Sequence, residues 1–524
     1  MNNNYSRYSS NESTPILSQQ QPRRGAHSGS TSTRKALVLL AKAFIGGGML
    51  FLPKAFSNGG LLFSTAVMAF VAMASLYTMQ QLASCHIRLN NHKGGYGTLA
   101  RKTYGRWMKY IVEVSIVVSQ LGFSCAGSVF VATSMRDAFN TLSGCRWDSM
   151  VPIEFWIAIQ MLPLAPLCLI RHVRGFSKVA LVSVVGIFAG LAYVLVTSTR
   201  VLAQNGLGPN VSFFNHRQFP LFLGSAAYTF EGYALILPIA TAMRRPQKIS
   251  LLLVLVMSLC AALAIAVGGL SYAAFGDTTQ PIIILNMPAQ SIITQTLRIV
   301  YGLAIIGTTP LMMFPTFKLL EPLLFGNRSG KNSLGVKSGK TVFRLSMLVA
   351  VLFVAAKGIE RLDRLVAIVG GIACVPLAFI YPPLLHLRVF GRGNSIRARW
   401  TRVSNWFIIV AGVCLSVYVT AGAINRWKMS FIHIVLLPVK PDAPKELVDQ
   451  VVSELNALEQ KIPFVIRSRC GKTVTQRGKQ YTHALLVELE SSDQLQAYAD
   501  HADHQAVLSK IKDIISEPSL AMDF

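Results

Sequence analysis

Residues 42–60, KAFIGGGMLFLPKAFSNGG, decide the fold of this 524-residue chain. They lie in an apolar stretch long enough to cross a bilayer, which takes about 20 mostly apolar residues per helix. Yet Gly46, Gly47 and Gly48 are consecutive, and Pro53 follows five residues later. Three glycines leave the backbone unshielded, and unwound backbone is tolerated at membrane depth only where protein or a water-filled cavity surrounds it. The stretch predicts an interrupted membrane helix, with close helix packing through small residues as the alternative.

A second interrupted span is predicted at residues 224–243, GSAAYTFEGYALILPIATAM, where Glu231 and Gly232 stand mid-span and Pro238 follows. Interrupted helices at corresponding positions of two halves are typical of a transporter site, where a half-helix N-terminus can meet a carboxylate. An acid inside the membrane is costly and is a functional hypothesis by default. Glu231 is therefore the candidate for proton coupling. The alternative is a permanently protonated Glu231 that is hydrogen-bonded between helices.

Outward from these two stretches, the sequence contains eleven apolar segments of membrane-spanning character. They run approximately over 36–56, 61–84, 110–134, 153–170, 177–198, 219–241, 250–274, 294–317, 342–356, 364–386 and 404–424. The ninth is short. The two interrupted segments are the first and the sixth, so each opens one set of five.

The charge distribution predicts the orientation of these spans. The chain has 50 Lys and Arg against 23 Asp and Glu, a formal charge of +27, but residues 429–524 hold only 10 of the basic and 13 of the acidic side chains. The loops after the second, fourth, sixth, eighth and tenth spans are basic, which favours the cytosolic side. This predicts a cytosolic N-terminus, a polar and disordered tail over 1–33, and a non-cytosolic loop in which Asn210 begins a glycosylation sequon.

The remaining motifs narrow the chemistry. The chain has no G-x-x-x-x-G-K-[ST] phosphate loop and no CxxC or HExxH spacing, so the sequence predicts neither a nucleotide nor any other cofactor, and no metal site. Its basic residues belong to membrane loops, so we expect a lipid bilayer and no nucleic acid as its environment. Further polar candidates inside the spans are Ser115, Ser119, Gln120, Thr229, Thr308 and Thr309. Lys42, one turn before the glycines, either neutralises a carboxylate or extends its stem along the helix.

Six motifs resemble the amino acid/auxin permease family, in particular its fungal vacuolar amino-acid transporter branch, over residues 34–424. They are KAFIGGGMLFLPKAFSNGG, GGYGTLARKTYGRW, SQLGFSCAGSVFVA, YTFEGYALILPIATAM, AVGGLSYAAFGD and VAIVGGIACVPLAFIYPPLLHL. The resemblance implies an all-α, polytopic LeuT-like fold, a 5+5 inverted repeat plus an eleventh helix. It also implies proton-linked amino-acid transport, with the substrate between the first and sixth helices. In this sequence that region maps onto Ile45, Gly46, Gly47, Gly48, Tyr228, Phe230 and Glu231.

One position departs from the family pattern. Animal proton-coupled relatives carry a histidine three residues before the lysine that matches Lys42, and this chain has Leu39 there. Their proton site cannot be carried over, which leaves the coupling ion open and directs attention to Glu231.

The last 96 residues read as a small soluble domain. Strand and helix patterns alternate as β-α-β-β-α, a ferredoxin-like unit, and the segment over 429–516 resembles the stress-responsive dimeric α/β barrel (Dabb) domain, followed by a tail over 517–524. The resemblance implies a homodimer through the sheets and a small cleft. The cleft candidates, which could instead cap helices and hold the fold, are His433, His483, Tyr498, His501 and His504.

These features predict a transporter domain over 34–426 that carries neutral amino acids, linked to protons, across a vacuolar or lysosome-like membrane. The plasma membrane is the alternative location. An amino-acid sensor, or a membrane-anchored enzyme in which the C-terminal domain is active, are the alternative functions. Met429 follows the last span directly, so the join is equally compatible with one protein and with two merged neighbouring genes.

Overall fold

A computed structural model describes the chain over 31–45, 47–89, 94–143, 151–170, 177–288, 290–326, 333–391, 395–425, 431–462, 465–473, 480–489 and 494–523. The predicted tail over 1–33 falls almost wholly outside these residues. Its last residues are ordered, because the Ser32 side chain caps the first helix by accepting from the Lys35 amide, and Thr31 exchanges backbone hydrogen bonds with Ala242 and Arg244.

The first part of the chain is a bundle of helices. They are α1 Thr33–Phe44, α2 Leu52–Gly59, α3 Leu61–Arg88, α4 Tyr96–Tyr104, α5 Arg106–Leu142, α6 Ile153–Ala158, α7 Met161–Cys168, α8 Ser177–Asn205, α9 Phe219–Thr229, α10 Tyr233–Ala242, α11 Ile249–Phe275, α12 Ile292–Phe325, α13 Leu334–Gly358, α14 Leu362–Val369, α15 Tyr381–Phe390 and α16 Ile396–Asn425.

Within the described residues, nine helical segments are long and apolar enough to cross a membrane. The fourth and sixth predicted spans are not among these nine; the fourth consists of the short helices α6 and α7, and the sixth of α9 and α10. The ninth predicted span, short in the sequence, is the 25-residue helix α13.

Both predicted interruptions are confirmed. Helix α1 ends at Phe44, Ile45 is extended with φ −95° and ψ 92°, and a 3-10 turn over Gly47–Phe51 leads into α2. Helix α9 ends at Thr229 and α10 begins at Tyr233. The tenth span holds an irregularity that was not predicted, since residues 370–374 and 376–380 between α14 and α15 are π-helical.

The interior of the bundle lies around the interruptions. Helices α5 and α12 pack along their length in opposite directions, with Phe130 beside Tyr301 at a ring distance of 5.1 Å and Asp137 beside Arg298. Neither helix belongs to an interrupted span. Together they form a continuous wall that faces both breaks.

Arg298 joins three elements at one end of this wall. Its guanidinium pairs with Asp137 of α5 and donates to the backbone oxygens of Ile284 (3.2 Å) and Leu285 (3.4 Å). We expect Arg298→Met to lower the free energy of unfolding by about 2–4 kcal/mol, since two carbonyls and a carboxylate lose their donor. Thermal unfolding in detergent measures this, and Arg200→Met, at an exposed position of α8, is the control. An equal effect of the two changes would contradict the role of Arg298.

The C-terminal residues form an antiparallel sheet in the order β2-β3-β1-β4. Its elements are β1 Phe431–Leu437, α17 Lys445–Lys461, β2 Val465–Lys472, β3 His483–Leu489, α18 Leu495–Ala499, α19 Ala502–Ile514 and β4 Leu520–Asp523. The predicted β-α-β-β-α order is confirmed. Strand β4 lies where the sequence predicted a tail, because the free edge of β1 offers backbone partners from His433 to Leu436.

Candidate functional site

A cavity lies between the two helix interruptions and the α5–α12 wall. Polar and apolar residues share its lining, which consists of Ala43, Phe44, Gly48, Met49, Phe51, Gln120, Phe123, Gly127, Tyr228, Thr229, Glu231, Gly232, Ala234, Leu235, Ile305, Thr308, Thr309 and Met312.

The two interruptions meet at the cavity. A Cβ atom built on Gly48 would lie 3.4 Å from the ring of Tyr228, and one built on Gly232 would lie 2.3 Å from the ring of Phe44. The second distance is shorter than a real contact, so Gly232 lets the start of α10 approach the end of α1. The four half-helix ends therefore surround one small volume.

Glu231 lies in the sixth-span interruption, between α9 and α10. It is 6% exposed, and its Oε1 atom is buried with no hydrogen-bond partner among the described residues. Of the described residues that line the cavity, it is the one with a charged side chain. A carboxyl group in this setting can receive a proton or a cationic ligand.

The sequence-predicted residues divide into three groups. The cavity is lined by Gly48, Gln120, Tyr228, Thr229, Glu231, Thr308 and Thr309. Six others do not line the cavity, Ser115 among them. Ile45 and Phe230 are buried at the interruptions, and Gly47 begins the 3-10 turn. Lys42 lies in the last turn of α1, and the Ser119 hydroxyl donates to the Ile116 carbonyl. Gly46 lies outside the described residues.

Several lining residues were not singled out by the sequence. Phe123 stacks edge-on against Tyr228 at 4.4 Å, and Gly127 faces Ile305. Their signal is the spacing Gln120, Phe123, Gly127, which places three residues on one face of α5 because a helix repeats every 3.6 residues. That spacing does not reveal which face of α5 is turned inward, so the sequence alone does not predict that Phe123 and Gly127 line the cavity.

In the C-terminal domain, three of the five cleft candidates come together. The ring of Tyr498 lies 6.0 Å from that of His433 and 4.2 Å from that of His504. The Tyr498 hydroxyl is buried without a hydrogen-bond partner among the described residues. The Nδ1 atom of His433 lies 2.6 Å from Asp523 Oδ1, so the unpredicted strand β4 supplies a fourth member of this cluster.

The other two candidates have different positions. His501 caps α19, where its Nδ1 accepts a hydrogen bond from the Asp503 amide at 3.3 Å. His483 pairs with Leu437 at the opposite end of β1 from His433. His501 therefore has the helix-capping role that the sequence analysis gave as the alternative to a cleft residue. In the described part of the chain, no group of three or more His, Cys, Asp and Glu side chains could hold a metal ion.

Burial lowers the pKa of His504 below its ordinary value of 6.5; the Ala499 carbonyl opposes this, while His433 and His501 lower the pKa further. The unfolded chain thus binds more protons than the folded domain as the pH falls through 6.5, so stability present above that pH is lost below it. We expect amides of α18 and α19 to exchange faster at pH 5.5 than at pH 7.5, after correction for intrinsic rates. Hydrogen exchange on the full chain measures this, and His504→Gln should reduce the difference. An unchanged pH dependence in the variant would exclude His504 as its source.

Comparison with known proteins places both parts of the chain. Residues 29–425 match the family model described as transmembrane amino acid transporter protein, and residues 431–524 match the stress responsive A/B barrel domain. The chain is 37% identical over 418 residues to vacuolar amino acid transporter 3 of Saccharomyces cerevisiae, covering 79% of this chain and 59% of that protein. It is 36% identical over 386 residues to vacuolar amino acid transporter 3 of Schizosaccharomyces pombe, covering 74% and 58% respectively.

The chain thus spans less than two thirds of the length of these relatives. Among solved structures, the fold is similar to that of a manganese transporter from Eremococcus coleocola, with a TM-score of 0.50 and 13% identity over 80% of this chain and 92% of that one. With the family model covering nearly all of the helical bundle, the chain belongs to the transmembrane amino acid transporter protein family and carries a C-terminal stress responsive A/B barrel domain.

Proposed function

We propose that the chain is a secondary active transporter that moves neutral amino acids across the vacuolar membrane and is linked to protons. The observation that carries this proposal is the cavity at the two helix interruptions, with Glu231 buried in its wall. The relatives described as vacuolar amino acid transporters support the substrate class and the membrane.

The half-helix ends supply groups for both charges of an amino acid. Helices α1 and α9 end at the cavity, and the C-terminal carbonyls of a helix attract a cation such as the α-ammonium group. The 3-10 turn and α10 begin there, and N-terminal amides attract an anion such as the α-carboxylate. Backbone groups hold the part that all amino acids share, and the side chains of the α5–α12 wall face the part that differs.

Further elements of this proposal follow from the sequence. We infer a cytosolic N-terminus from the basic loops, an inverted relation between two sets of five spans, and a homodimer through the C-terminal sheet. Asn210 remains the glycosylation candidate; it is exposed, and its side-chain amide donates to Asp277 at 3.0 Å.

Labelled amino-acid uptake into proteoliposomes of the full chain tests the proposal. We expect uptake of neutral amino acids to exceed that of protein-free liposomes and to increase when an inward proton gradient is imposed. Uptake that is indifferent to the gradient would retain the carrier and exclude proton coupling. Saturable binding without net flux would favour the sensor instead.

A second candidate function concerns the C-terminal domain alone. The buried Tyr498 hydroxyl lies beside the rings of His433 and His504, and each of these three groups can exchange a proton, so together they form a candidate acid–base cluster. If this domain is the active part, ligand turnover by the purified chain should be lost in Tyr498→Phe while amino-acid flux is unaffected. Loss of flux in the same variant would indicate that the domain serves transport.

A further inference from the structure

The wall helix α5 presents one stripe of side chains to the cavity. Gln120, Phe123 and Gly127 all line it, and their spacing of three and four residues keeps them on one face. Because α5 belongs to neither interrupted span, this stripe lies across the cavity from the backbone groups that would hold the shared part of an amino acid. It is therefore positioned to contact the ligand's side chain.

Gln120 differs from the rest of the stripe because it carries an uncommitted carboxamide. The residue is 5% exposed, yet no hydrogen bond of its side chain forms within the described residues; only its backbone oxygen accepts, from Ser124. Gln160 shows the ordinary situation for a buried amide, since its Nε2 donates to the carbonyls of Ser128 and Trp156, both at 3.0 Å. The Gln120 amide atoms are not among the buried polar atoms that lack a partner, so they open onto the cavity that the residue lines, where a ligand can supply hydrogen-bond partners.

The other polar side chains of the wall that line the cavity donate their hydroxyl hydrogens within their own helix. The hydroxyls of Thr308 and Thr309 both donate to the carbonyl of Ile305, at 3.1 and 2.9 Å. The end of the wall at Gly127 and Ile305 is apolar, and Gln120 lies two helical turns away, about 10 Å along α5. The wall thus has one apolar end and one end with free donors and an acceptor.

We propose that Gln120 is a specificity-determining residue, whose carboxamide binds the uncharged, hydrogen-bonding side chain of a substrate such as glutamine. A site built to hydrogen-bond a polar group discriminates against an analogue that lacks it, because the protein's own group is then left unpaired. The carrier accordingly prefers glutamine over leucine, which has a similar size. This inference rests on the proposed transport function.

The test compares labelled glutamine and labelled leucine uptake by the full chain in proteoliposomes, each expressed as kcat/KM. We expect Gln120→Leu to lower the glutamine-to-leucine ratio at least about tenfold, with leucine uptake maintained. Gln160→Leu is the matched control: it removes an equally buried amide outside the cavity, so the amount of folded protein falls while the ratio stays unchanged. If Gln120→Leu is not recovered, Gln120→Met tests the same point with an unbranched side chain.

Each failure has a distinct signature. A wild-type chain without flux of any amino acid defeats the proposed function. A wild-type chain that transports leucine as well as glutamine, or a Gln120→Leu variant with an unchanged ratio, defeats the role of Gln120 and leaves transport intact. An equal loss for both substrates would assign Gln120 to the shared part of the ligand or to folding, and would also overturn the inference.

Discussion

We expect Glu231→Gln to remove the proposed proton-driven uptake while ligand binding remains measurable. Glutamine has nearly the same shape as glutamate but cannot gain or lose a proton, so the change tests coupling with little alteration of the cavity. Glu231 is the one charged side chain among the described lining residues, and its Oε1 has no protein partner there. We expect gradient-driven flux of neutral amino acids into proteoliposomes to fall at least tenfold, equivalent to about 1.4 kcal/mol.

Glu113→Gln is the matched control for this prediction. Glu113 is also on a membrane helix, but it pairs with Lys109 at 3.7 Å and does not line the cavity. Flux that survives in Glu231→Gln would keep the carrier and exclude Glu231 from coupling. Loss of binding together with flux would show that the carboxylate holds the ligand rather than a proton.

Gly232→Ala should abolish transport through a single added methyl group. The built Cβ lies 2.3 Å from Phe44 Cε1, so either the ring turns into the cavity that it lines or α10 moves away from α1. The first outcome fills the binding site, and the second separates the two interruptions. We expect at least a tenfold loss of uptake and a loss of about 1–3 kcal/mol in the free energy of unfolding, the usual cost of overpacking. Uptake and thermal unfolding in detergent measure the two effects.

Two variants make this prediction specific. Gly48→Ala adds a methyl group in the same cavity, but its Cβ lies at an ordinary 3.4 Å from Tyr228, so its effect should be smaller. Phe44→Leu in the Gly232→Ala background removes the clashing ring atoms and should restore part of the uptake. If the double variant is no better than Gly232→Ala, the steric explanation fails.

Much of this protein's architecture could be predicted because residue type indicates directly which segments lie within the membrane. Apolar stretches reveal spans, since only a hydrogen-bonded helix survives in lipid, and Gly46–Gly47–Gly48 and Glu231–Gly232 violate that rule where the interruptions occur. The same reasoning located the cavity at the first and sixth spans. The alternating strands and the amphipathic helix α17 likewise predicted the C-terminal sheet, because side-chain periodicity is a local property.

Contacts that join distant parts of the chain could not be predicted from the sequence. Ser119 and Gln120 are adjacent in the sequence and both polar, yet only Gln120 lines the cavity, because the packing of α5 against α12 decides which face turns inward. Asp523 joins His433 only because β4 pairs with β1 across 90 residues.

The sequence by itself determined where the helices break and that an acid lies at one break, since both follow from residue type and position within a span. Only the tertiary structure decided that the two breaks meet around one cavity, that Gly232 is needed because Phe44 lies against it, and that Gln120 faces the ligand space with its amide uncommitted. Residue type sets what a group can do locally, whereas its partners depend on how separate helices pack.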